Sequence, residues 1–428
     1  MDDFNENVSQ ISARSQVIQL SNMSPHIITI YFRIIIAYLK DNDGVIDSQE
    51  YKELITLMTK IKVRKEIAEN LRAYRFENTE SLSLDELVEE LINELHKENI
   101  SETTVLQALG MDIIEMSKDE LDIIYENQVI TRMLDRLNMT DDQVKFTIRK
   151  IKAEKEILAN RLTDNQIKDI VKELTAVASG AGISLGALAV TGAVTGWGGI
   201  SGGMLALGLG SGGAVFGAAA IASAGYGVYR GVKYFSGTSQ LEQFGIRIKT
   251  LSDRISQLRI ANTYIIEDIN WLGNKLNNFA FKLKESNELS NELYLELEHI
   301  INQNQSIVDA SDLIEKEEKY SEYELTLTNV PEELNIGKYN ELLDVNINKV
   351  YYDEIVQSAY IVQGDIDDEF NEEIIRLKDD IDLDNLKLLQ TILEEIGYFD
   401  TKSASIAQGK SIAKKGLSGL KKSFFSGD

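Results

Sequence analysis

The stretch "IIIAYLKDNDGVIDSQEYKEL" (Ile34–Leu54) gathers Asp41, Asp43, Asp47 and Glu50 around a single glycine, Gly44. This has the look of a calcium loop. In the calcium loop of a helix–loop–helix, glycine takes the sixth position and glutamate the twelfth. With Gly44 at the sixth, Glu50 falls on the twelfth, Asp43 on the fifth and Asp41 on the third. The first position is then Leu39, which has no donor, so the match to that loop fails at its start. A plainer reading fits equally: Gly44 makes a turn, Asp47 or Ser48 caps the next helix, and the acids face water.

Other chemistries are harder to place. The chain has no cysteine, which excludes disulfides and thiolate chemistry. Its only histidines are His26, His96 and His299, too few for a multi-histidine metal site. No Ser-His pair stands out and no spacing of acids selects an acid–base couple, so the expectation is a non-enzyme. Gly208, Gly210 and Gly213 spell G-x-G-x-x-G, but no strand, helix and acid surround them as a dinucleotide site requires. A formal charge of -25 argues against nucleic acid as a partner.

The second unusual stretch is free of charge. From Leu174 to Tyr229 there is no Asp, Glu, Lys or Arg, with Glu173 before it and Arg230 after. Two apolar pieces, Ala176–Thr195 and Met204–Tyr229, flank "GWGGISGG". Each is close to the roughly 20 residues that span a bilayer as a helix. Trp197 in the connector suits a membrane interface. Gly182/Gly186, Gly192/Gly196, Gly208/Gly212 and Gly213/Gly217 repeat the spacing that lets helix backbones approach closely. In a water-soluble helix each glycine costs about 1 kcal/mol relative to alanine. The pattern predicts a marginally apolar hairpin that enters a bilayer. The alternative is a hairpin buried for good in a helical bundle.

A third stretch inverts the sign of the chain. "TKSASIAQGKSIAKKGLSGLKKSFFSG" carries Lys402, Lys410, Lys414, Lys415, Lys421 and Lys422 and no acid before Asp428. Ala413, Leu417, Leu420 and Phe424 share one helical face, flanked by lysines. Such a tail lies on anionic lipid, docks on the chain's own acidic stretch Asp365–Asp400, or simply stays solvated.

The elements that must position these stretches read as nearly all-α. Only Pro25 and Pro331 interrupt a chain rich in Leu, Ile, Glu and Lys. Residues 1–165 read as a small helical bundle. "PHIITIYFRIIIAYLK" is its central helix, and Ser83, Ser117 and Thr140 are the expected caps. Residues 166–237 hold the glycine-rich hairpin. Residues 238–330 carry apolar positions stepping by three and four from Leu241 to Ile300, which predicts one long coiled-coil-like helix approaching 90 Å. Asn262 sits in its seam, and a helix over Asp141–Glu173 is its expected antiparallel partner. Residues 331–428 form an acidic region with the basic tail. There "VYYDEIVQSAYIVQ" fits either helix or strand, and the acidic run through Asp400 reads as helical.

The motif "AYLKDNDGVIDSQE" resembles the TerB-like domain of the tellurite-resistance family, in which an apolar helix precedes Asp-Gly-x-Ile/Val and an acid-started second helix. The resemblance implies a small helical bundle with an acidic loop, often in membrane-linked stress or defence systems. It makes Asp41, Asp43, Asp47 and Glu50 candidate ligands for a divalent cation, calcium or magnesium. The layout over residues 140–300, an apolar hairpin between long amphipathic helices, is similar to that of α-helical pore-forming toxins. Together these readings lead to an expectation of a membrane-active protein that inserts its glycine-rich hairpin as an oligomer. The alternatives are a membrane-associated scaffold recruiting a protein through the heptad helix, or a regulator whose hairpin stays buried. "MDDFNENVSQ" lacks a basic n-region and an apolar h-region, so the expectation is cytoplasmic synthesis without a signal peptide, with action at a membrane.

Overall fold

The computed structural model describes residues 20–40, 45–76, 82–118, 121–183, 244–286, 291–344, 346, 348–362 and 374–398. Among them the chain is predominantly α-helical, with one small sheet. It divides into two compact units, each assembled from separate pieces of sequence. The first comprises Met1–Glu154, Val171–Gly213 and Gln257–Glu317; the second comprises Lys155–Ile170, Ala214–Ser256 and Glu318–Asp428.

In the first unit, α1 (Pro25–Lys40) is the central helix. Pro25 opens it, where a missing N–H costs nothing, and Ile27, Ile30, Ile34 and Ile35 are fully buried. It packs against α3 (Lys65–Phe76) and α4 (Leu84–Lys97). Ser83 and Glu86 form the expected capping box at the start of α4, which buries Leu87, Val88, Leu91 and Leu95. α2 (Ser48–Ile61) ends on Lys62 in the left-handed region. α5 (Glu102–Met116) starts at Ser101 and stops at Ser117. Ser117 therefore closes a helix instead of opening one. The next helix, α6 (Gln128–Arg136), is short and capped by Asn127, whose side chain accepts from Val129 N and Ile130 N. Thr140 caps α7 (Asp141–Ala159), exchanging bonds with Gln143.

The helix expected over Asp141–Glu173 is broken. α7 stops at Ala159 and α8 runs from Asp164 to Gly180. Thr163 and Gln166 are the cause: each accepts from the other's backbone N–H, at 3.4 and 2.8 Å, which starts a new helix. The single long helix is also corrected. α9 (Gly245–Ser286) and α10 (Asn291–Asn329) are separate. α9 has 42 residues, about 63 Å of helix. In the first unit Ser311 of α10 donates to Asn262 Oδ1 at 2.8 Å, so the polar seam position finds its partner in the next helix of the same chain.

The second unit contains β1 (Glu333–Asn335), α11 (Ile336–Leu343), α12 (Lys349–Ala359), β2 (Tyr360–Val362), β3 (Ile374–Leu377) and α13 (Leu383–Glu395). The strands are antiparallel in the order β1-β3-β2, with Leu334 opposite Ile375 and Ile361 opposite Arg376. The ambiguous "VYYDEIVQSAYIVQ" is both things, helix to Ala359 and strand from Tyr360. Part of the acidic run expected as helix is strand β3, because Ile375 and Leu377 turn into the core with Leu334, Val356, Leu386 and Leu389.

Candidate functional site

Asp47 and Glu50 of the acidic loop are engaged with each other. Asp47 Oδ1 accepts from Glu50 N at 2.8 Å, and Glu50 Oε2 accepts from Asp47 N at 3.0 Å. This is a complete capping box on α2. Asp41 and Asp43 lie outside the described residues, as does Gly44. Among the described residues no three His, Asp or Glu side chains converge as a metal centre would require.

Gly182 is the one described member of the expected glycine pairs. Its φ is +65°, and Ile183 N bonds back to Ala178 O at 3.3 Å, the signature of a left-handed helix stop. A Cβ at Gly182 would meet nothing within 4 Å, so backbone conformation and not close packing demands glycine there. The continuous helix expected over Ala176–Thr195 is thereby interrupted after Gly180. Among the described residues no helix is long and apolar enough to cross a membrane. Gly186, Gly192, Gly196, Trp197, Gly208, Gly212, Gly213 and Gly217 lie outside the described residues, and so do Lys410, Lys414, Lys415, Lys421 and Lys422.

Charge is instead concentrated inside the first unit. Asp112 of α5 is 0% exposed, and Tyr31 Oη of α1 donates to its Oδ2 at 2.7 Å. Its Oδ1 has no hydrogen-bond partner. Burial, and then the neighbouring Glu115, push the Asp112 carboxyl up to about 8. Around it lie Lys60, bonded to Glu115, and Lys150, 3.0 Å from Glu154. Lys118 pairs with Glu53 at 2.7 Å and Lys52 with Glu317 at 2.6 Å. Burial works against the Glu115 charge, yet Lys60, Lys150 and Lys118 together hold it below the usual carboxylate range. Four lysines thus face four glutamates, and a protonated Asp112 keeps the set neutral.

A second cluster joins α9 to α2 and α3. Asp268 of α9 is 1% exposed. It accepts from Tyr51 Oη, from Arg72 Nε and, at 2.5 Å, from Arg75 Nη2. Arg72 also reaches Glu267 at 3.2 Å. Arg75 lies over the rings of Tyr51 and Phe76, at 5.7 and 5.3 Å from their centroids. Phe76 in turn packs on Trp271. Burial, and then Asp268, push the Tyr51 hydroxyl well above its usual range, which keeps it a donor.

Neither cluster was expected from sequence. The signal was acid inside each of two apolar runs: Asp112 in "LGMDII", and Glu267 with Asp268 in "YIIEDINWL". Comparison with known proteins finds no matching family model, curated relative or solved structure.

Proposed function

We propose that this chain acts at a lipid bilayer, entering it with the glycine-rich segment as an oligomeric pore-forming toxin or defence effector. The observation that carries the reading is the charge gap. Charged residues make up 26% of the chain, yet none occurs from Leu174 to Tyr229. A helix with a water-facing side needs polar groups on it, and repeated glycines weaken any helix that stays in water. Lipid removes the first need, and close helix packing there gives the glycines a use. The resemblance of residues 37–50 to TerB-like domains supports a control role for the N-terminal helices in a membrane-linked response.

Flotation with anionic vesicles and release of an entrapped dye test the proposal. The full chain is expected to float with vesicles and to release dye. Val194→Asp and Val215→Asp are expected to abolish both, because a carboxylate at mid-membrane costs about 2.5–3.5 kcal/mol. Gly212→Leu combined with Gly213→Leu is expected to impair leakage and spare flotation, which separates a packed pore from a simple anchor. Protein that never floats, with or without divalent cation and limited proteolysis, ends the reading.

A further inference from the structure

We infer that the contact between α9 and the α2–α3 pair is a releasable clasp, built on buried charge so that α9 lifts away while the N-terminal helices stay folded. Tyr264, Glu267, Asp268 and Trp271 of α9 meet α2, α3 and the link between them, and they share one helical face at spacings of three and four. Tyr264 donates to Val63 O at 2.9 Å, in the link between α2 and α3. Glu267 and Asp268 take the two arginines and Tyr51. Trp271 adds an apolar contact against Phe76, and the same stretch of α9 buries Leu258, Ala261, Ile265 and Leu272.

A face of this kind is specific without being deep. Asp268 has three donors in fixed geometry, so α9 docks in one register. The attraction between buried charges is largely offset by the water they give up, and apolar residues of similar volume often hold such an interface more tightly. One donor is also forfeited, since Arg75 Nε has no partner. When α9 leaves, the two carboxylates and two guanidinium groups regain water, which offsets part of the cost of parting. On α1, by contrast, Ile27, Ile30, Ile34 and Ile35 are completely buried. A role for the clasp in holding back the membrane step rests on the function proposed above.

Hydrogen exchange on the full chain tests the clasp without a membrane. In the wild type, amides of residues 260–276 are expected to exchange at least tenfold faster than those of α1 and α5, through an opening that leaves α1 protected. Replacing the charges together, Arg72→Met with Arg75→Leu and Asp268→Leu, is expected to slow exchange in α9 tenfold or more and to leave α1 within twofold. Asp268→Asn alone is expected to speed it. Should α9 and α1 exchange together in the wild type, or should the triple replacement leave α9 within twofold, the clasp is overturned. Dye release by the same variants addresses the function separately. Exchange as expected with no leakage from any of them retains the clasp and removes the membrane reading.

Discussion

Asp112 ties the stability of the first unit to pH. Its carboxyl ionises near 3.8 in an unfolded chain and near 8 in the folded one. Below the lower value both states are protonated and the residue has no pH-dependent effect. Between the two values only the unfolded chain ionises, so stability falls as pH rises and levels off above about 8. Asp112→Asn keeps an acceptor for Tyr31 and removes the slope. It is expected to match the wild type near pH 3 and to be more stable at pH 7 by about 1–3 kcal/mol, read from urea midpoints across pH. The capping box is a second residue-scale case. Asp47→Ala is expected to lose about 1 kcal/mol, and adding Glu50→Ala much less than the same again, because both serve one box. Calorimetry of the single and double variants checks this.

Some helix boundaries were legible from a side chain that announces them. Ser83 with Glu86 and Thr140 with Gln143 start α4 and α7 as their spacing implies. Thr163 with Gln166 carries the same signal, but it sits inside an unbroken run of helix formers, and the pattern of apolar spacing hid it. Apolar spacing hid Asp268 for the same reason: the stripe of α9 looks continuous on either side of it. The strands are three and four residues long, too short for alternation to register. Gly110 shows what sequence leaves unexplained inside an element. A Cβ there would come within 2.7 Å of Met139 Cγ, so the glycine makes room for the chain that follows α6. At the end of α8, Gly182→Ala is expected to cost about 1–2 kcal/mol through its positive φ. D-alanine at the same position, introduced by semisynthesis, is expected to restore that loss, with thermal unfolding as the measurement.

Over the whole molecule, a net charge of -25 opposes approach to anionic lipid. The lysines of residues 402–422 are a concentrated exception, each contributing about 1 kcal/mol near such a surface. Deleting 402–428 is expected to weaken binding to anionic vesicles at low salt and to leave binding to neutral vesicles unchanged, as measured by flotation. The glycine-rich stretch has a different relation to the rest. In the second unit Asp164 Oδ1 accepts from Ile246 N at 2.9 Å, and Arg247 Nη1 donates to Ile157 O at 2.8 Å. In the first, Asp268 is held by Tyr51, Arg72 and Arg75. Each of these bonds joins the chain before residue 184 to the chain after residue 243. A chain cut once between residues 184 and 243 is therefore expected to stay one particle, giving two bands on a denaturing gel and a single peak on a sizing column.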